Sequence, residues 1–184
     1  MRRKPRLKGQ QIMVRRTMTV MFVAAALAAP AAPAAANGDG DLPRADAAFL
    51  DMAAQGDQFE VSSGRLAEQR GTSEAVKTLG RLLERDHGRH YRQTRALAAR
   101  FDERVPSMPG PVQQWIADEL ATAPAQEFDR RFLLLGIAEH KEDISHYRLA
   151  ATTADTAAVR DFARRTIPVL RTHLQRFRAA FRDL

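Results

Sequence analysis

The sequence contains no cysteine. Its absence excludes disulfide bonds, zinc sites with thiolate ligands, and lipid attachment to an N-terminal cysteine. A domain of this kind has to be stabilised by its apolar core. The metal site expected without thiolates is one of histidine and carboxylate side chains, which suit a different set of metals than thiolates do.

Strand signals are also scarce. Beyond position 44 there is almost no alternation of apolar and polar residues, and Ala, Leu, Arg, Glu and Gln dominate instead. Apolar residues recur every three or four positions there, which indicates amphipathic helices. The chain has no Gly-rich phosphate loop and no nucleophile motif around its serines. The sequence therefore predicts an all-α fold and assigns no catalytic residue, so an enzyme is not predicted.

Acidic residues are missing from the first 36 positions, which hold seven of the 29 basic residues. Without those seven, 22 basic and 22 acidic residues remain, so the formal charge of +7 belongs to this segment alone. No basic run with interleaved aromatic residues follows it. Such a run is the usual mark of a nucleic-acid interface, and we therefore predict no nucleic-acid partner.

This first segment is typical of a secretory signal peptide. Basic residues extend to Arg15 and Arg16, an apolar run covers 18–29, and 34–36 form an A-x-A cleavage pattern. The apolar run is shorter than the roughly 20 residues that span a bilayer. We predict a signal peptide at 1–36, a flexible linker at 37–43 and one helical domain at 44–184. The protein would be exported to the periplasm or cell envelope, with no transmembrane anchor after cleavage.

Helical periodicity predicts four long helices, at about 44–70, 74–103, 124–152 and 155–183, with Asp155 capping the last. Short connections after the first and third helices favour an up-down-up-down antiparallel bundle. The longer connection between the second and third contains a short amphipathic helix. Its apolar face would close one end of the bundle through Val112, Trp115, Ile116 and Leu120.

Ionisable residues interrupt the apolar stripe of each long helix. They are Glu60, His87, His140 and His173. Counted from the helix ends, the four agree in height to within roughly one to one and a half turns. We therefore expect them to meet in one layer at mid-height. His90 also lies on the stripe of its helix, whereas His146 lies off it and is expected to face solvent.

Three imidazoles and one carboxylate in a dry layer suit a single Zn, Fe or Cu ion. The sequence predicts Glu60, His87, His140 and His173 as ligands. Nearby carboxylates would orient them or add ligands; these are Glu84, Asp86, Glu139 and Asp143. The alternative is an interaction module whose buried His and Glu only specify helix packing. A redox enzyme using a metal in this layer is a third interpretation. The protein partner stays open, and the chain would be a monomer or a homodimer.

Several short patterns resemble the domain-of-unknown-function family 4142, a family of exported bacterial proteins often labelled "putative outer membrane protein". The matching pieces span the predicted helical domain: Phe49-Leu50, Ala53-Ala54, Glu60, Asp86-His87, Phe128-Asp129, Glu139-His140, and Leu170 and His173 after Pro168. The resemblance implies a ferritin-like helical bundle, with no established role. Di-iron ferritin-like proteins carry Glu-x-x-His on two helices. Here Glu84 and His87 fit once, and Leu170 stands where the second Glu would be, so a single-ion site is expected.

Overall fold

A computed structural model describes residues 40–184, so the predicted signal peptide lies outside the described residues. The helices are α1 (Arg44–Arg70), α2 (Glu74–Ala99), α3 (Pro111–Thr122), α4 (Ala125–Thr153) and α5 (Ala157–Arg182). No strand occurs between 40 and 184, which confirms the all-α prediction. In the same range, no helix combines the length and apolarity needed to cross a bilayer.

The second long helix is shorter than predicted. It ends at Ala99 instead of continuing to 103, and the chain turns through Arg100 and Phe101. Asp102 then adopts a left-handed conformation with φ of 57°. Most residues disfavour this region of backbone dihedral angles, but Asp tolerates it. The spacing of apolar residues therefore did not reveal that the helix ends at Ala99.

The direction of the second hairpin differs from the predicted up-down-up-down order. Asp129, near the start of α4, accepts hydrogen bonds from the loop between α1 and α2, at Thr72 N (2.8 Å) and Ser73 N (2.8 Å). The start of α4 therefore lies at the same end of the bundle as the end of α1. The order is up-down-down-up, with a long crossover from 100 to 124. One such crossover is the connectivity of ferritin-like folds.

Helix α3 belongs to this crossover and runs along α1 instead of closing an end of the bundle. Its C-terminal carbonyls accept hydrogen bonds from Arg70, including Ala123 O at 2.6 Å, and Leu120 is buried. Val112 is 69% exposed and Trp115 is 64% exposed. The prediction that Val112 and Trp115 pack against the bundle is therefore wrong, whereas Leu120 of the same predicted face is buried and Ile116 is half-buried.

The two hairpins, α1–α2 and α4–α5, repeat each other with a constant spacing. Residues with the same role lie 83 positions apart, as in the helix N-caps Ser73 and Thr156 and the capping carboxylates Asp46 and Asp129. Phe49 and Phe132, Leu50 and Leu133, and Val76 and Val159 follow the same spacing. The bundle therefore has an approximate two-fold symmetry that exchanges α1 with α4 and α2 with α5.

Each hairpin caps a helix of the other. Buried Asp46 of α1 accepts from Asp155 N (3.1 Å) and Thr156 N (2.7 Å) at the start of α5. Asp129 does the same for α2. These carboxylates satisfy backbone donors that a helix N-terminus leaves free, and their charge suits the positive end of the helix dipole. The sequence prediction had assigned the cap of the last helix to Asp155. Instead, the N-cap residue is Thr156, whose side chain makes no capping hydrogen bond. Asp46 accepts the hydrogen bonds at this helix start in its place.

The apolar core has two parts. One surrounds Leu50, Leu97 and Val159, and the other surrounds Leu83, Phe132 and Phe177. A layer of buried polar side chains separates them at mid-height. Its members are Asp57, Glu60, His87, His140, Thr166 and His173. The candidate site lies in this layer.

Candidate metal centre

Three histidines from three helices meet in the polar layer. They are His87 of α2, His140 of α4 and His173 of α5, and one ring nitrogen of each lies within 4.8 Å of the others. Their exposed fractions are 5%, 0% and 2%, so water is largely excluded. The predicted convergence of the three imidazoles is therefore observed.

The outward ring nitrogen of each histidine faces a hydrogen-bond acceptor. His87 Nδ1 lies 3.0 Å from Asp57 Oδ1, and His173 Nε2 lies 3.2 Å from Asp86 Oδ2. His140 Nδ1 lies 2.8 Å from the carbonyl oxygen of Gly136. Carbonyl and carboxylate oxygens only accept, so each of these nitrogens donates its N–H.

The three remaining nitrogens are inward-facing, and in a neutral imidazole such a nitrogen carries a lone pair, because the ring has only one N–H. His140 Nε2 and His173 Nδ1 lie 3.3 Å apart with no hydrogen left to place between them. His87 Nε2 is buried and has no hydrogen-bond partner within residues 40–184. A buried acceptor without a donor is costly, and three of them facing one another form a site that a cation would satisfy.

Burial keeps the rings of His140 and His173 neutral. It lowers the pKa of His140 well below its usual value, and repulsion from His87 and His173 lowers it further, against the hydrogen bond to Gly136 O. Burial, followed by repulsion from His87, lowers the pKa of His173 to about 4, although the bond to Asp86 opposes the shift. Neutral imidazole is the form that binds metal ions, so no proton has to leave His140 or His173 at neutral pH.

Glu60 lies beside the three histidines, on the outward side of His140. Its Oε1 is 3.5 Å from His140 Nδ1 and has no hydrogen-bond partner in the described part of the chain. Burial raises the pKa of Glu60 well above its usual value, and Asp143, Glu139 and Asp57 add to the shift. Its predicted role as a metal ligand stays a prediction.

The four predicted supporting carboxylates have different surroundings. Asp86 holds His173, whereas Glu84 pairs with Arg65 at 2.7 Å on the surface. Glu139 and Asp143 are half-buried on α4. Burial, with help from neighbouring carboxylates, raises the pKa of Asp143 to about 8. Of the four, Asp86 is the one that directly orients a histidine of the cluster.

Asp57 is the residue that sequence reasoning missed. It is buried and shares its carboxylate between His87 Nδ1 (3.0 Å) and His90 Nδ1 (2.7 Å). His90 Nε2 then reaches Thr166 Oγ1 at 3.0 Å. A signal was present, since Asp57 precedes Glu60 by one helical turn on the same stripe. It also lies 83 positions before His140, its symmetry equivalent.

The family described as "Domain of unknown function (DUF4142)" has a model that matches residues 29–180. The match covers most of the chain, which therefore belongs to this family, as the sequence patterns indicated. No curated protein matches the sequence.

Solved structures share the fold. A DUF305 fragment from Deinococcus radiodurans superposes with a TM-score of 0.69 at 17% identity, covering 78% of this chain and 99% of the fragment. CopM in its Cu(I)-bound form gives 0.63 at 21% identity, covering 75% and 96%. CopM in its Cu(II)-bound form gives 0.63 at 22%, covering 75% and 96%. At these identities the likeness establishes the ferritin-like bundle and nothing finer.

Proposed function

We propose that this DUF4142 protein binds one transition-metal ion, with copper as the first candidate, through His87, His140 and His173. The observation that carries the proposal is the set of three buried imidazoles whose outward N–H groups are all donated elsewhere. The ligand atoms would be His87 Nε2, His140 Nε2 and His173 Nδ1. Asp57 and Asp86 would fix the orientation of two of these rings, as carboxylates commonly do for metal-binding histidines.

Copper is the first metal to test for two reasons. Among divalent first-row metals, a site of nitrogen donors binds copper most tightly. CopM, which has the same fold, has been solved with Cu(I), Cu(II) and silver. Zinc and iron are the other metals that suit imidazole ligands, so they serve as comparisons.

The experiment uses the protein purified without a metal-affinity tag and stripped of metal. One equivalent of Cu²⁺ bound per chain is expected by elemental analysis. Because an ion at 100 times its Kd stabilises the folded state by about 2.7 kcal/mol, the melting temperature should rise by roughly 5–10 °C. The Cu²⁺ electron paramagnetic resonance spectrum should show coupling to nitrogen nuclei.

His173→Ala should abolish this shift. His146→Ala is the matched control, because His146 is half-exposed on α4, where its ring lies 4.0 Å from Glu142, outside the histidine cluster. An unchanged melting temperature of the wild type on addition of copper, zinc and iron would refute the proposal. So would a shift that survives in His173→Ala. An unchanged melting temperature of the wild type would favour the alternative of a packing module whose buried histidines are structural.

We further propose that the protein works outside the cytoplasm, in the periplasm or cell envelope. The support is the basic and apolar pattern of residues 1–36 with its A-x-A end. A reporter enzyme that is active only after export, fused behind residue 36, should be active. The same fusion with Arg15 and Arg16 unchanged but Val20, Phe22 and Leu27 replaced by Asp should be inactive. Equal reporter activity in both fusions would contradict export through this segment.

A further inference from the structure

The two hairpins leave an open-sided cavity between α2 and α5, next to the histidine cluster. Its volume is about 900 Å³, which is in the range of roughly 300–1,000 Å³ typical of small-molecule sites. Leu97, Phe162 and Leu170 give it apolar walls. His90 and Thr166 place polar atoms on the inner surface. Mainly apolar walls with a few convergent polar groups are the usual composition of a ligand site.

The mouth of this cavity is positively charged. Arg89 of α2 and Arg165 of α5 line it and are exposed. Within residues 40–184, neither arginine has an ion pair or hydrogen bond to another side chain, so both guanidinium groups are available. Guanidinium groups match carboxylate and phosphate oxygens in charge and geometry.

The acidic residues that line the cavity mostly have partners other than Arg89 and Arg165. Asp57 is shared between His87 and His90, and Asp86 is bonded to Arg85 and His173. Asp161 pairs with Arg164 at 2.9 Å.

We infer that this cavity is a binding site for a small organic anion with an apolar body, whose acidic group Arg89 and Arg165 hold at the mouth. The apolar part would lie against Phe162, Leu97 and Leu170. His87 and His173 of the cluster also line the cavity. The inference rests on the arginines and the apolar walls, so it does not depend on the proposed metal site. It predicts that binding requires both a negative charge and an apolar segment.

The test is calorimetric titration of the metal-stripped full chain with three probes. Adipate supplies carboxylates and an apolar segment, 1,6-hexanediol has a similar segment without charge, and inorganic phosphate has charge without the segment. Adipate should bind at one site per chain, and at least tenfold more tightly than either of the others. Its affinity should fall as the salt concentration rises, because the charges at the mouth are exposed.

The double variant Arg89→Gln/Arg165→Gln should weaken adipate binding at least tenfold. Arg178→Gln is the control, since Arg178 is exposed on the same helix but does not line the cavity. It should bind adipate as the wild type does. No adipate binding to the wild type, equal binding to the double variant, or phosphate binding as tight as adipate would each overturn the inference. Both arginines are on the surface, so the variants are expected to fold, and circular dichroism checks this.

Discussion

The two hairpins carry different side chains at equivalent positions of the same frame. In the first hairpin, Asp57 and His90 form a carboxylate–imidazole pair at 2.7 Å. In the second, the equivalent residues His140 and His173 place two ring nitrogens 3.3 Å apart. One pair supplies both a donor and an acceptor, whereas the other leaves two lone pairs facing each other. At this position of the repeat, Asp gives a satisfied hydrogen bond, whereas His gives part of a candidate cation site.

A second difference adds the third imidazole. His87 of the first hairpin points into the cluster, and its equivalent in the second hairpin is Leu170. The histidine cluster therefore forms once, although the backbone frame occurs twice. Asp57 links the histidine cluster to the carboxylate–imidazole pair, because it bonds both His87 of the cluster and His90 of the pair.

The largest expected difference between the halves is their response to acid. The pKa of His173 is about 4 in the folded protein and about 6.5 in an unfolded chain. The unfolded state therefore takes up a proton first, and stability is lost as the pH falls from about 6.5 to about 4. His173 alone would remove about 3 kcal/mol over this range.

The measurement is urea unfolding of the metal-free protein at several pH values. His173→Leu should flatten the slope between pH 6.5 and 4, and His146→Leu should leave it unchanged. If His173→Leu loses stability with acid as steeply as the wild type does, the histidine cluster is not the acid-sensitive part of the molecule.

The reciprocal caps should be nearly equal in strength. Asp46→Ala and Asp129→Ala each remove the acceptor for two backbone N–H groups at a helix start of the other hairpin. Each substitution should destabilise the protein by about 2 kcal/mol, because these donors are partly exposed and water replaces some of the lost bonding. Urea unfolding measures both. A difference above about 1 kcal/mol between them would break the symmetry inferred here.

The next contrast is in packing. A Cβ atom on Gly136 would overlap the ring of Phe177, whereas the equivalent residues of the first hairpin are Ala53 and Thr94. Gly136→Ala should destabilise the protein by about 2 kcal/mol through overpacking, despite the better helix propensity of Ala.

Phe177→Leu should relieve part of this effect, so that the double variant is less destabilised than the sum of the two single changes. Thermal unfolding of the four proteins gives the coupling. Additive effects would show that the ring is not what requires glycine at 136.

The smallest difference concerns the N-caps. Ser73 Oγ accepts from Val76 N at 3.3 Å, but the side chain of Thr156 makes no such bond. Ser73→Ala should lower stability by about 1 kcal/mol, and Thr156→Ala by only a few tenths. Urea unfolding curves resolve this difference. Equal losses would indicate that Thr156 caps α5 in solution.

Helical periodicity was enough to predict the four long helices. Counting residues from the helix ends then predicted that His87, His140 and His173 lie at a similar height in the bundle. These features are local or nearly so, since they depend on spacing within one helix. The direction of the second hairpin was not predictable in the same way. It depends on the contact between Asp129 and the loop at Thr72 and Ser73, which no spacing within a helix reveals.

Side-chain partners across helices were the other limit. Asp57 had the right spacing for the polar layer, but its choice of His87 and His90 as partners is a property of packing. Trp115 was expected to be buried because it lies on the apolar face of its helix, but it is exposed where α3 lies along α1. A search for internal repeats would have aligned Asp57 with His140 and drawn attention to it.

The mutual capping by Asp46 and Asp129 has a consequence for how such a chain can be assembled. A peptide holding one hairpin alone would lack the carboxylate that its second helix needs. Two copies of that peptide, related by a dyad, would restore both contacts between separate molecules. The stretch from 100 to 124 then acts as a tether that keeps the halves at high effective concentration, and severing it should leave two fragments that still associate.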